Sequence, residues 1–280
     1  MYMSSQPQAY RARRIARVVT TSPETDVHGV RRNRVLGTAA LDRLDPFLLF
    51  EEFRFGKNAS DFSHGPFRGF EILTYMTAGH LCHDDDAGGK NLVEPGGAQW
   101  VTAGRGIMQI DVPESGIAHG FQFWLNLPGS EKTQAAVYRP VAAIDIPAVI
   151  FPSAEVKVLA GQYHGLLGAI MPPTTRPFIA DIILQAEGAV TLDIPDDHDG
   201  FVYVFGGGGV AIEQTFVNVG QAGILEKGNL LNLVAGGEGA RVLVATARPL
   251  KEPVARHGPF VMTTQQELNE ALKDYQNESS

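Results

Sequence analysis

Two β-barrels in tandem, jelly-roll in type and followed by a C-terminal helix, are the fold this sequence predicts. Three observations predict it. The 280 residues include 31 Gly and 17 Pro, which cut the chain into short apolar runs separated by turns, a mostly-β pattern. An internal match sets VEPGGAQWVTAG at 93–104 over LEKGNLLNLVAG at 225–236, and YMTAG at 75–79 over YVFGG at 203–207. Each copy reads as strand, glycine turn, strand and hairpin with period-two alternation, so two related β-domains are the simplest account. Finally, TTQQELNEALKDYQ carries a capping box, Thr264 with Glu267, ahead of a single apolar face of Leu268, Ala271, Leu272 and Tyr275.

The elements follow in order. RARRIARVVTT reads as an edge strand whose alternating arginines discourage edge-to-edge pairing. Residues 1–34 hold seven arginines against Glu24 and Asp26, and a basic patch for an acidic partner or DNA is the other reading of them. LDRLDPFLLFEEF, FSHGPFRGFEILTYMTAG and EPGGAQWVTAGRGIMQIDVP supply the strands of the first barrel. Between the last two, HLCHDDDAGG reads as a polar hairpin loop, because Asp runs beside glycine are ordinary turn chemistry; a surface metal site at His80 and His83 is the alternative. HGFQFWLNLP closes the barrel. The aperiodic stretch 129–150, with Pro140 and Pro147, joins the halves, giving domains 1–135 and 136–280.

A 44% hydrophobic composition is enough for a substantial core. The formal charge of −8 disfavours an extended nucleic-acid surface, and no apolar run is long enough to span a bilayer. With Cys82 alone, no internal disulfide can form; a cytoplasmic protein is the expectation. There is no nucleophile elbow, and the glycine clusters lack a phosphate-loop context.

The segments around RGFE (68–71) and GRGI (104–107), with RPLKEPVARHGPFVMTTQQEL near the end, resemble the pirin family. That resemblance implies a bicupin, and in the first barrel an Fe(II) held by three histidines and a glutamate. Aligned on those motifs, the four ligand positions fall on Gly65, Phe67, Gln109 and Asp111, of which only Asp111 keeps a metal-binding side chain. Strand alternation then places Gly65, Phe67 and Glu71 on one inner face and Gln109 with Asp111 on another. His64 is one residue out of phase and would reach the cavity only through a bulge. The second copy, at the same offsets, has Asp193, Pro195, Arg241 and Leu243, with no histidine. His119 reads as a structural hydrogen-bonding residue.

Removing three of four ligands leaves no open coordination chemistry. The expectation is therefore a metal-free bicupin without a cofactor. It would act by holding a small molecule in the first cavity or a protein partner, for which the resemblance implies a transcription factor or a metabolic enzyme. Three other readings stay open. One is the family's quercetin dioxygenase activity at a rearranged site. Another is metal-free acid–base work by Glu71 and Asp111, whose apolar surroundings would raise a carboxyl pKa. The third is structural, with the first barrel a filled core and the functional surface elsewhere, such as the charged N-terminal strand.

Overall fold

A computed structural model describes residues 10–21, 23–56, 62–86, 89–114, 116–172 and 174–278, with the side chains of Ser63, His64 and Glu278 outside the described set. Two antiparallel barrels are present, each made of a seven-stranded and a four-stranded sheet. In the first, the large sheet runs in space as Val137–Val141, Ala98–Thr102, Phe70–Ala78, Ala118–Asn126, Phe47–Phe55, Val30–Leu36 and Glu24–Thr25. The small sheet runs as Ser63–Phe67, Ile107–Pro113, Leu81–Asp85 and Lys90–Val93.

The second barrel repeats this plan strand for strand. Its large sheet is Ile15–Thr20, Gln221–Leu225, Asp199–Gly207, Ala240–Ala247, Phe178–Leu184, Ala154–Ala160 and Ala148–Phe151. Its small sheet is Ala189–Asp193, Leu230–Ala235, Val210–Ile212 and Thr215–Val217. The two sheets correct the internal alignment. The ungapped match at 93–104 lays the strand Ala98–Thr102 over Leu230–Ala235, whereas in space its counterpart is Gln221–Leu225. The strand of the second barrel that corresponds to 107–113 is 230–235, and it turns Leu231 and Leu233 into a hydrophobic interior that is mostly aliphatic. The offsets that picked out Asp193, Pro195, Arg241 and Leu243 therefore do not mark the matching cavity positions.

The ends of the chain cross between barrels. Ile15–Thr20 is, as expected, an edge strand, but it pairs with Gln221–Leu225 of the second barrel. Arg13 just before it is fully buried and donates to the carbonyls of Pro195 at 2.7 Å and His198 at 3.0 Å. At the other end, Gln265–Glu278 is the predicted helix. Thr264 Oγ1 accepts from the Glu267 N–H at 3.2 Å, and Glu267 returns the bond to the Thr264 N–H at 3.0 Å. Its apolar face packs on Phe260 and Met262, and Asp274 pairs with Arg68 of the first barrel at 3.0 Å.

The barrels share one core. Phe50 meets Phe201 at 4.8 Å and Phe121 meets Phe205 at 4.8 Å between ring centroids. The repeat-related tyrosines, Tyr75 and Tyr203, each reach across this core into the other barrel. Tyr75 donates to Asp181 at 2.7 Å, which also receives Arg241 at 2.7 Å; Tyr203 donates to Glu52 at 2.6 Å, which also receives Arg54 at 2.7 Å. His119 joins the second cluster, 2.8 Å from Glu52 and 2.7 Å from Thr77 Oγ1, the structural role its sequence suggests.

Candidate functional site in the first barrel

The strand 107–113 lies between 63–67 and 81–85 and fixes which side chains meet. Its register sets Ile107 against Phe67, Gln109 against Gly65 and Asp85, and Asp111 against Ser63 and His83. Directly opposed residues share a face. Phe67, Gln109 and Asp111 accordingly all turn inward, at 5%, 0% and 0% exposure. Gly65 stands opposite Gln109, and a Cβ there would meet no heavy atom within 4 Å. His64 stands opposite Ile110, whose side chain faces solvent, while the side chain of His64 itself lies outside the described residues.

Two expectations are overturned. His83 and Asp85 do not sit in a polar loop. They belong to the strand Leu81–Asp85, and both side chains are fully buried. The alternation Leu81, His83, Asp85 inward and Cys82, Asp84 outward is an ordinary strand pattern. The Asp run and the glycines beside it mask that pattern in the sequence.

Glu71 is the second correction. The strand 63–67 stops at Arg68 and Gly69, where φ is +87° and a Cβ would lie 1.9 Å from the Val261 carbonyl oxygen. A new strand starts at Phe70 in the other sheet with its own parity: Phe70 and Ile72 pack with Phe67, while Leu73 and Tyr75 face the inter-barrel core. Glu71 follows the latter face and accepts from Trp100 Nε1 and Thr102 Oγ1, both at 3.0 Å. It is not opposed to Asp111, and the proposed carboxylate pair does not form. Burial does push the Glu71 carboxyl up to about 7, against the donors Trp100 and Thr102. Its native pKa exceeds the unfolded value, so its contribution to stability is complete below about 4.5 and declines as pH rises through about 7. Glu71→Gln is expected to leave stability unchanged at pH 4 and to raise it by roughly 1–3 kcal/mol at pH 8 in urea unfolding.

What does meet Asp111 is an imidazole. His83 Nδ1 is 2.7 Å from Asp111 Oδ1 and Nε2 is 2.8 Å from Asp85 Oδ2, while the Tyr138 ring stacks on the imidazole at 4.5 Å with 1° between planes. Burial opposes a charge on His83, but hydrogen bonding and attraction to Asp111 and then Asp85 outweigh it and hold its pKa above the usual histidine value. The remaining carboxylate oxygens are also engaged. Gln109 donates to Asp111 Oδ2 at 2.5 Å, Gln99 to Oδ1 at 3.3 Å, and the Gly89 N–H to Asp85 Oδ1 at 2.8 Å.

This donor set does not fit iron. An Fe(II) centre requires lone pairs converging on one point, whereas the two imidazole nitrogens point in opposite directions, each to its own carboxylate. Among the described residues, no group of three or more His, Cys, Asp or Glu is arranged to hold a metal ion.

Across the barrel from this network the large sheet presents a polar row, Gln99, Thr74, Gln122 and Glu51, in direct cross-strand register. Three buried atoms of the interior have no hydrogen-bond partner in the protein: Thr74 Oγ1, Gln122 Nε2 and Gln109 Oε1. Phe67, packed edge-on against Trp124 at 5.8 Å, closes the apolar end. The interior of the second barrel is packed largely with hydrophobic side chains, with buried polar groups such as Thr246 and His198 paired at 3.2 Å.

Sequence comparison decides the family. The Pirin pattern matches residues 29–125, and that of the Pirin C-terminal cupin domain matches 179–279. The chain belongs to the pirin family. The mouse protein Pirin is 32% identical over 95% of this chain and 93% of its own. A Pseudomonas aeruginosa relative, 36% identical over 95% and 98% of the two chains, has a name that provisionally assigns quercetin 2,3-dioxygenase. Among solved structures, quercetin 2,3-dioxygenase from Acinetobacter baumannii superposes with a TM-score of 0.87 at 26% identity, covering 96% of this chain and 98% of that one. The two cupin barrels of this pirin are thus a shared inheritance, and no helix among its described residues is long and apolar enough to cross a membrane.

Proposed function

We propose that this pirin acts by binding and not by iron-dependent oxygen chemistry, with the interior of the first barrel as its small-molecule site and a regulatory protein partner as the other form such binding takes in the family. One observation carries the reading: His83 is locked between Asp85 and Asp111, the latter a position that the resemblance aligns with a metal ligand of the family, with both ring nitrogens engaged. Iron could enter only by separating these groups. The unpartnered atoms of Thr74, Gln122 and Gln109 support a polar guest, because buried polar groups of native proteins are normally satisfied.

The likeness to quercetin 2,3-dioxygenase over 96% of the chain favours a second reading, in which the same side chains rearrange around a metal and oxidise a flavonol. One experiment separates the two. Purified protein, loaded with Fe(II) under anaerobic conditions and desalted, is analysed by plasma mass spectrometry and then assayed for quercetin consumption. Binding predicts substoichiometric metal and no turnover above free Fe(II). Stoichiometric iron with turnover establishes the dioxygenase.

A further inference from the structure

A cleft of about 520 Å³ opens at the mouth of the second barrel, between the hairpin 162–167, residues 171–172 and 176–178, and the loop 193–198. That size falls within the range of small-molecule sites, roughly 300–1,000 Å³. Beneath Tyr163 and Phe178 the barrel is filled with aliphatic side chains such as Val156, Ile182 and Leu231, so the cleft has a closed apolar floor. Tyr163 is held by its hydroxyl, which donates to the Thr191 carbonyl at 2.9 Å. The ring of His164 stands edge-on to it at 4.5 Å. Met171, half exposed, completes the apolar wall.

Two residues of the lining carry backbone strain. His164 and Arg176 have φ of 47° and 41°, among five non-glycine residues with positive φ in the described chain. Left-handed backbone at such residues clusters where a ligand is gripped. The charges point the same way. Arg176 meets Asp197 at 3.4 Å, but Arg248 approaches the same carboxylate at 3.7 Å, so two guanidinium groups share one anion at the rim. Both members of the Arg176 pair are about half exposed, and exposed pairs hold each other weakly. At the exposed end of the strand Ala189–Asp193, Asp193 lines the cleft close enough to Tyr163 to reinforce burial in pushing its hydroxyl up to about 12.

We propose that this cleft binds a planar hydroxylated aromatic acid of one or two fused rings. The rings lie against Tyr163, Phe178 and Met171, the acid group pairs with Arg176, and the hydroxyl donates to Asp193. This goes beyond the binding role assigned to the first barrel and does not depend on it.

Titrating the full-length protein with hydroxynaphthoate, followed by the probe's own fluorescence, tests the assignment, with naphthol as the comparator that lacks the acid. One saturable site is expected. Arg176→Gln weakens hydroxynaphthoate about tenfold, the effect of one charged hydrogen bond, and leaves naphthol unchanged. Met171→Glu, at an exposed position that does not threaten the fold, abolishes binding of both. Gln122→Leu in the first barrel changes neither. Absence of saturation, an affinity indifferent to Arg176→Gln and Met171→Glu, or loss of binding in Gln122→Leu overturns the proposal; the last outcome would move the probe to the first barrel. Iron loading with quercetin turnover would defeat the first-barrel reading and leave this site standing.

Discussion

His83→Leu is expected to lower the stability of the protein by roughly 3–5 kcal/mol, the cost of leaving a buried ion without its partner. Asp85 and Asp111 are fully buried in the side chain and face the same ring from opposite sides, so the substitution strands two carboxylates at once. Neither can turn to solvent, because each is fixed by its own strand pairing. Urea unfolding at pH 7 measures the loss. The triple variant His83→Leu, Asp85→Asn, Asp111→Asn should recover most of it, since neutral amides avoid the unpaired charges. A His83→Leu protein as stable as the parent would mean that the imidazole is not the charged partner of these carboxyl groups. The same network gives the stability a pH sense. Because the folded histidine holds its proton more tightly than the unfolded one, its contribution is complete below about 6.5 and fades as pH rises through the raised native value.

How much of this was legible from the residues differs between fold and site. Composition, the internal repeat and the capping box were enough for two β-barrels and a terminal helix, because each is a local signal that the tertiary structure respects. The tyrosines at 75 and 203 were matched correctly and make mirrored contacts across the barrel interface. The glycine-rich match at 93–104 was not, since turn glycines recur at every hairpin and one glycine turn resembles the next. At the site, parity along 107–113 correctly turned Gln109 and Asp111 inward. Parity failed at Glu71 because a strand period holds only within one strand, and Gly69 ends one sheet and begins another. His83 was missed for the opposite reason: composition typical of a turn concealed a regular alternation. A pairing partner 28 residues away, Asp111, decides that His83 is core, and no local pattern contains that fact.

Acid should unlatch the two barrels through Glu52. Burial alone would raise its carboxyl pKa, but hydrogen bonds from His119, Tyr203 and Arg54 outweigh burial and hold it at about 2, below the ordinary 4.5. A depressed native pKa stabilises the folded state above the unfolded value, and that stabilisation is lost as pH falls from about 4.5 through about 2. The difference corresponds to something on the order of 3 kcal/mol. Its location gives the loss a structural consequence. Glu52 belongs to the first barrel and Tyr203 to the second, so protonation weakens one of the two mirrored tyrosine latches while Tyr75 and Asp181 still hold the other. Unfolding measured from pH 7 down to pH 2.5 should show the parent losing stability where Glu52→Gln, already weaker at neutral pH, shows a shallower slope. Glu71 responds in the opposite sense, gaining stability on protonation, so the parent curve is the sum of two opposed glutamates. The double variant Glu52→Gln, Glu71→Gln should therefore be flatter between pH 3 and pH 8 than either single variant. An acid slope that survives in Glu52→Gln would assign the acid sensitivity to other carboxylates and remove Glu52 from the latch.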